Sequence, residues 1–288
     1  MTGIASAAAL LAPPQPLMIP IGADTDCPAT LYRAERAGAP LVLHLHAGAF
    51  TSAPPEGMPC VVRLLLGAGA TVVSLQYPLA PERPFPHAAE AAHAALLHLQ
   101  KRRKAWGTPS SRLFVAGEEA GGNLAAAASL MARDRAGPEL AGQILFSPML
   151  DVCVGTASLR RAQAGPVGCR WADGWHDYLP DANAALHPYA TPGAAARLSG
   201  VPATLLVTAA DDAFRDETAA YAARLRQAGV PVDQLVLPPP TRFPAPYMEV
   251  PPTCDTAWAE TARQHLRRFL HGPDPEPSQT TRTRREPT

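Results

Sequence analysis

Short apolar runs alternating with longer stretches of helical period set the layout of this chain. Pro40 to His46, Thr71 to Tyr77, Arg112 to Ala116, Ala141 to Ser147, Thr204 to Ala209 and Val232 to Leu237 read as strands, with Ala29 to Glu35 ahead of them. Several of these runs are nearly continuous in apolar residues, which suits strands covered on both faces of a sheet. Helical periodicity marks Ala88 to Lys104, Asn123 to Arg135, Phe214 to Ala228 and Thr256 to Leu270. Strands alternating with helices predict an α/β domain with a mostly parallel central sheet. The rhythm breaks from Val152 to Ala196, a stretch rich in Ala, Gly and Pro that carries Trp171 and Trp175. We read it as an inserted cap, joined by an irregular arm over residues 1–25 that folds over the site. Residues 272–288 are polar and Pro-rich and read as a disordered tail, leaving one domain over residues 1–271.

Composition narrows the function classes. The 288 residues include 25 basic and 25 acidic side chains, a formal net charge of zero, so no charge excess points to nucleic acid or an anionic membrane surface. The basic cluster Lys101 to Lys104 closes a helix, where cations complement the dipole. Cys27, Cys60, Cys153, Cys169 and Cys254 are scattered and odd in number, and are read as reduced thiols. The apolar run Ile4 to Ala12 lacks a basic flank and stops at Pro13-Pro14, unlike a signal peptide. No stretch is long enough to span a bilayer. His87, His93 and His98 lie on or next to one helix at a spacing that shares no face well, so no metal site is expected there. These observations point to a cytoplasmic protein with no cofactor and a small molecule as its ligand or substrate.

The candidate chemistry centres on Gly117-Glu118-Glu119-Ala120-Gly121-Gly122-Asn123, between a strand and an Ala-rich helix. Strand, glycine-flanked tight turn and helix together make a nucleophile elbow, in which the middle side chain is pushed out over the sheet edge. A Ser is usual at that place; here it is Glu119.

Five ordered stretches resemble the α/β-hydrolase fold, and within it the hormone-sensitive-lipase-like carboxylesterases. His46-Ala47-Gly48-Ala49-Phe50 resembles the oxyanion loop. Tyr77 to Glu82 with Pro84-Phe85-Pro86 resembles the segment that follows it. Gly117 to Asn123 resembles the elbow, Ser147 to Asp151 the strand end before the cap, and Asp212 to Glu217 the acid loop. The resemblance implies that Glu119 takes the place of the nucleophilic Ser, that Asp212 is the acid, and that Thr241, in Thr241-Arg242-Phe243, stands where the catalytic His belongs. No His lies between His187 and His265 to replace it. His46 is implied to hold the oxyanion loop in shape, Glu118 to support the elbow from behind, and Asn123 to brace its turn. A homodimer is plausible on the resemblance alone.

Acyl transfer by a Ser-His-Asp site needs both a hydroxyl nucleophile and an imidazole base, so ordinary serine-esterase activity is expected to be absent or very low. Several readings of Glu119 stay open. It is a helix N-terminal acid and nothing more; or its carboxylate folds into the oxyanion hole formed by Ala47, Gly48, Ala49 and Ala120, with Arg242 as its ion-pair partner; or it shares a proton with Asp212 and works as an acid or base in lyase-, cyclase- or dehydratase-like chemistry. Two function classes follow: an enzyme with carboxylate chemistry, or a non-catalytic small-molecule binder, with weak hydrolysis of small esters as a third outcome. Trp171, Trp175 and Tyr178, at spacings of four and three, fit one helical face and either line a pocket or pack the cap.

Overall fold

The computed structural model describes residues 12–22, 25–54, 56–162, 167–249 and 256–272. Among the described residues eight strands form one sheet: β1 (Gln15–Pro20), β2 (Asp26–Tyr32), β3 (Leu41–Leu45), β4 (Thr71–Leu75), β5 (Leu113–Glu118), β6 (Gly142–Phe146), β7 (Thr204–Ala209) and β8 (Val232–Leu237). Their order across the sheet is β1-β2-β4-β3-β5-β6-β7-β8. The strands from β3 to β8 pair in parallel, and the hairpin of β1 and β2 runs antiparallel along the β4 edge. The four strands β3, β4, β5 and β6 are buried along their whole length, as continuous apolar runs require of a sheet covered on both sides.

Two cores lie on the two faces. Odd-numbered residues of β3 and β4, such as Leu43 and Val73, pack with α2 (His87–Trp106), α3 (Ala120–Asp134) and α6 (Arg215–Gln227). Even-numbered ones, such as Val42 and Val72, pack with α1 (Cys60–Gly67) and α7 (Ala257–His271). Between β6 and β7 come α4 (Ala157–Ala162), α5 (Val167–Tyr178) and two short 3-10 turns, inside the stretch read as a cap. No described helix is long and apolar enough to cross a membrane.

Two expectations change here. Residues 15–20 are the outer strand of the sheet, not an irregular arm over the site. Pro16 and Pro20 obscure the strand pattern in the sequence, and an edge strand tolerates them. Residues 1–11 of that arm, and the expected tail beyond Gly272, lie outside the described residues. Cys60 takes part in a disulfide, whereas Cys27 and Cys153 are free. Cysteines far apart in sequence meet in space, and local spacing does not reveal such pairs. A disulfide belongs to oxidising chemistry, which removes the thiol argument for a cytoplasmic location.

Candidate functional site

The site is built where β5 turns into α3. Glu119 sits in that turn at φ 55° and ψ −117°, a backbone conformation that costs a side-chain-bearing residue about 1–3 kcal/mol. Its surroundings enforce it. The Glu119 amide donates to the Phe146 carbonyl, and the Glu119 carbonyl accepts from Met149 and Asn123. The Asn123 amide group donates to the Met149 carbonyl at 2.9 Å, bracing the turn as expected. A Cβ on Gly121 would lie 2.0 Å from the Leu45 carbonyl oxygen, so only glycine lets α3 start this close to β3.

The Glu119 side chain is fully buried and does not cap α3. One carboxylate oxygen, Oε2, accepts from the backbone amides of Gly48 at 2.6 Å and Ala49 at 2.8 Å. The other, Oε1, accepts from Arg170 Nη2 at 2.6 Å and from the indole Nε1 of Trp171 at 2.7 Å. The carboxylate therefore lies in the loop that the sequence marks as the oxyanion hole, tied there by two amides, an indole and a guanidinium. An ionised carboxyl has about four acceptor positions, and each is used.

Three of the expected partners do otherwise: among the described residues the donors to Glu119 are Gly48, Ala49, Arg170 and Trp171, without the Ala120 amide. The Ala47 amide donates to Glu118 Oε1, not to Glu119. Arg242 does not pair with Glu119: its guanidinium bridges to Glu249 at 2.8 Å, on an exposed side chain. The ion partner is Arg170 of the cap helix. Its adjacency to Trp171 in a helical stretch was the available signal, because one turn of helix can present both donors to one acceptor.

Glu118 anchors the loop from behind. Its Oε2 meets His44 Nε2 at 2.8 Å, and His44 Nδ1 meets Ser74 Oγ at 2.9 Å, all three buried on neighbouring strands. His44 was missed as a functional residue, although a polar side chain inside a continuous apolar run requires a buried partner. His46 stacks on Tyr77 with centroids 4.2 Å apart, and its Nδ1 lies 2.6 Å from the Ala47 carbonyl oxygen. Burial lowers its pKa to about 3, so it is neutral and shapes the loop.

Asp212, on the loop after β7, is buried and stands apart from Glu119's set of donors. It accepts from Ser147 Oγ at 2.6 Å, from Thr208 Oγ1 and from the Phe214 amide at 2.9 Å. Burial raises its pKa despite those donors. The two carboxylates are thus held by different groups, and the shared-proton arrangement is not formed. Ser147 Oγ also lies 3.1 Å from the Tyr247 hydroxyl. Thr241 turns to the neighbouring Asp211, with its amide at 2.8 Å and its hydroxyl at 2.7 Å.

The cap residues close over the elbow. Trp171 packs edge-on to Phe214 at 4.7 Å, Trp175 lies 5.0 Å from Phe50, and Tyr178 stacks on Phe50 at 4.0 Å. All three are buried along one face of α5, so they pack the cap, and Trp171 adds a hydrogen bond. A Cβ on Gly174 would lie 2.2 Å from the Ala49 carbonyl oxygen, so α5 rests its backbone directly on the oxyanion loop.

Glu217 of α6 fixes the strand end that leads into the cap, accepting from the Leu150 amide at 2.8 Å and the Asp151 amide at 2.6 Å. Burial pushes its pKa up to about 8, from an ordinary value of 4.5. The folded chain then holds a proton that the unfolded chain releases between those two values. Its contribution to stability is full below about pH 4.5 and falls as the pH rises through about 8. Urea midpoints at pH 5, 7 and 8 should decline in the native chain relative to Glu217→Gln, by on the order of a few kcal/mol in all. Parallel profiles for the two would show that Glu217 is ionised throughout.

A parallel-dominated sheet, an elbow between β5 and α3, and an amide-lined loop beside it define an α/β-hydrolase. Residues 42–241 match the alpha/beta hydrolase fold family, and the chain belongs to it. Carboxylesterase NlhH of Mycobacterium tuberculosis is 33% identical over 219 residues, covering 73% of this chain and 68% of that protein. The arylesterase of Saccharolobus solfataricus is 32% identical over 213 residues, covering 72% and 69%. Among solved structures, EstE1, a thermophilic carboxylesterase cloned from a metagenomic library, superposes with a TM-score of 0.80 at 30% identity over 91% of this chain and 90% of that one. The carboxylesterase-like, hormone-sensitive-lipase-like reading of the sequence therefore holds.

Proposed function

We propose that this protein is a carboxylesterase-like α/β-hydrolase that has no ordinary serine-esterase turnover, because Glu119 occupies the oxyanion donors as an internal carboxylate. The observation that carries this reading is the fully buried Glu119 side chain with all four acceptor positions filled by Gly48, Ala49, Arg170 and Trp171. Oxyanion catalysis needs amide donors free to meet charge as it develops on the substrate, and here that charge is already present. Lyase-, cyclase- or dehydratase-like chemistry needs a carboxylate able to take up a proton, and each lone pair of this one is engaged. The geometry therefore favours the non-catalytic class, in which a small-molecule ligand enters only when the Trp171–Trp175–Tyr178 face of α5 moves. The esterase names of the relatives favour a second reading, weak hydrolysis of small esters.

One assay separates the readings. Purified protein, a heat-treated control and Glu119→Gln are compared on p-nitrophenyl acetate and butyrate. We expect the native chain and the variant to match the heat-treated background. Clear turnover that disappears in the variant would make Glu119 a working nucleophile or base and end the proposal. Turnover unchanged in the variant would support hydrolysis at another group.

A further inference from the structure

We infer that the Gly48 and Ala49 amides, the Trp171 indole and the Arg170 guanidinium are a recognition site for a small monocarboxylate, filled in cis by Glu119. The inference rests on the reading of Glu119 as an occupant, not a reagent, and adds the chemical class that the site selects. Four donors converge on one carboxylate at 2.6 to 2.8 Å. Two are backbone amides held by a loop and cannot turn away, and one is a buried indole. The fourth carries the compensating positive charge and reaches solvent, with the Arg170 side chain 41% exposed. A planar anion with two oxygens satisfies that set; a neutral amide or alcohol lacks the charge and the second pair of acceptors.

Arg170 supplies a second, independent observation. It holds Glu119 through Nη2 alone, while its Nε is buried without a hydrogen-bond partner among the described residues. Guanidinium groups bind carboxylates best through two parallel N–H bonds. Glu119, fixed at its Cα by the elbow, leaves that donor unused. A free carboxylate has no such constraint and can take both guanidinium N–H bonds by giving up one of the other donors.

Shortening Glu119 to Ala removes the Cγ and the carboxylate and leaves the Cβ. Acetate supplies those same atoms, a methyl carbon and a carboxylate, and is the natural probe. Melting of Glu119→Ala is followed against sodium acetate, with sodium chloride at equal ionic strength as the control. Acetate should stabilise the variant saturably: at ten times its dissociation constant the folding equilibrium constant rises about elevenfold. The native chain, already filled, should follow the chloride control. Adding Arg170→Ala to the Glu119→Ala chain should weaken acetate binding by about tenfold or more. Should Glu119→Ala fail to fold, Glu119→Ser, the residue usual at this elbow, serves the same measurement. A folded variant in which acetate and chloride act alike, or acetate stabilisation equal in the native chain, would overturn the inference. Ester turnover by the native chain would overturn the proposed function, whereas acetate stabilisation of the variant reads the donor set itself, so the two failures are distinguishable.

Discussion

Glu119→Ala is expected to lower the free energy of unfolding by about 3–5 kcal/mol, because three buried donors lose their acceptor together. The substitution leaves the Gly48 and Ala49 amides and the Trp171 indole without their acceptor, and a buried donor left unmade costs about 1–3 kcal/mol. Arg170 contributes less to the loss, because its half-exposed side chain can turn to water. In a chain of this size each kcal/mol moves the melting temperature by about 2–4 °C, so a fall of roughly 10 °C is expected. Glycine at the same position should be about 1 kcal/mol better than alanine, reversing the usual order, because Glu119 sits at φ 55°. Urea unfolding followed by far-ultraviolet circular dichroism checks both. A loss below about 1 kcal/mol would mean that water replaces the carboxylate at its donors and that the cap does not seal the site.

The second large effect concerns Glu118. Glu118→Ala should cost about 3 kcal/mol, because His44 and the Ala47 amide lose a buried acceptor together. Glu118→Gln should cost about 1 kcal/mol, since its amide oxygen and amino group can still meet one partner each. The Ala47 amide lies next to the Gly48 amide that holds Glu119, so the alanine change also loosens the oxyanion loop. Hydrogen exchange at Ala47, Gly48 and Ala49 should quicken in the alanine variant while the Ala125–Ala128 interior of α3 stays protected. Equal stability of the native and alanine chains would show that the His44–Glu118 pair contributes nothing net.

Much of the fold was legible because the sheet is covered on both faces. β7 and β8 match their predicted limits, and β3, β4 and β6 lie inside theirs. α2, α3, α6 and α7 were located within three residues at each end. β1 and α1 were not read: prolines hid the first, and the second is a short helix whose stretch Val61 to Leu66 has Arg63 as its one polar residue, too little to give a period. In the site, the elbow and the oxyanion loop were legible as glycine-dependent turns, and the placement of Glu119 in that loop was among the readings. The identity of its cation was not. Arg242 is next to Thr241, the place of the missing His, but its positive φ of 61° and its bridge to Glu249 turn it elsewhere. Arg170 reaches the site only because α5 folds back onto the loop, through a contact with Ala49 that only Gly174 permits. Such a contact is set by tertiary packing and leaves no local period to read.

The carboxylate in the donor set is covalently part of β5's turn into α3, and this bears on how the site responds to concentration. An occupant joined to its receptor by a short, stiff tether presents an effective concentration well above the millimolar values typical of flexible linkers. Dilution, dialysis and purification leave that value unchanged. A competing acid in solution therefore meets a site that behaves as saturated at every protein concentration, and gains access in proportion to the fraction of chains whose Glu119 has swung out. Occupancy in this protein is governed by an internal equilibrium of the chain, not by the supply of ligand.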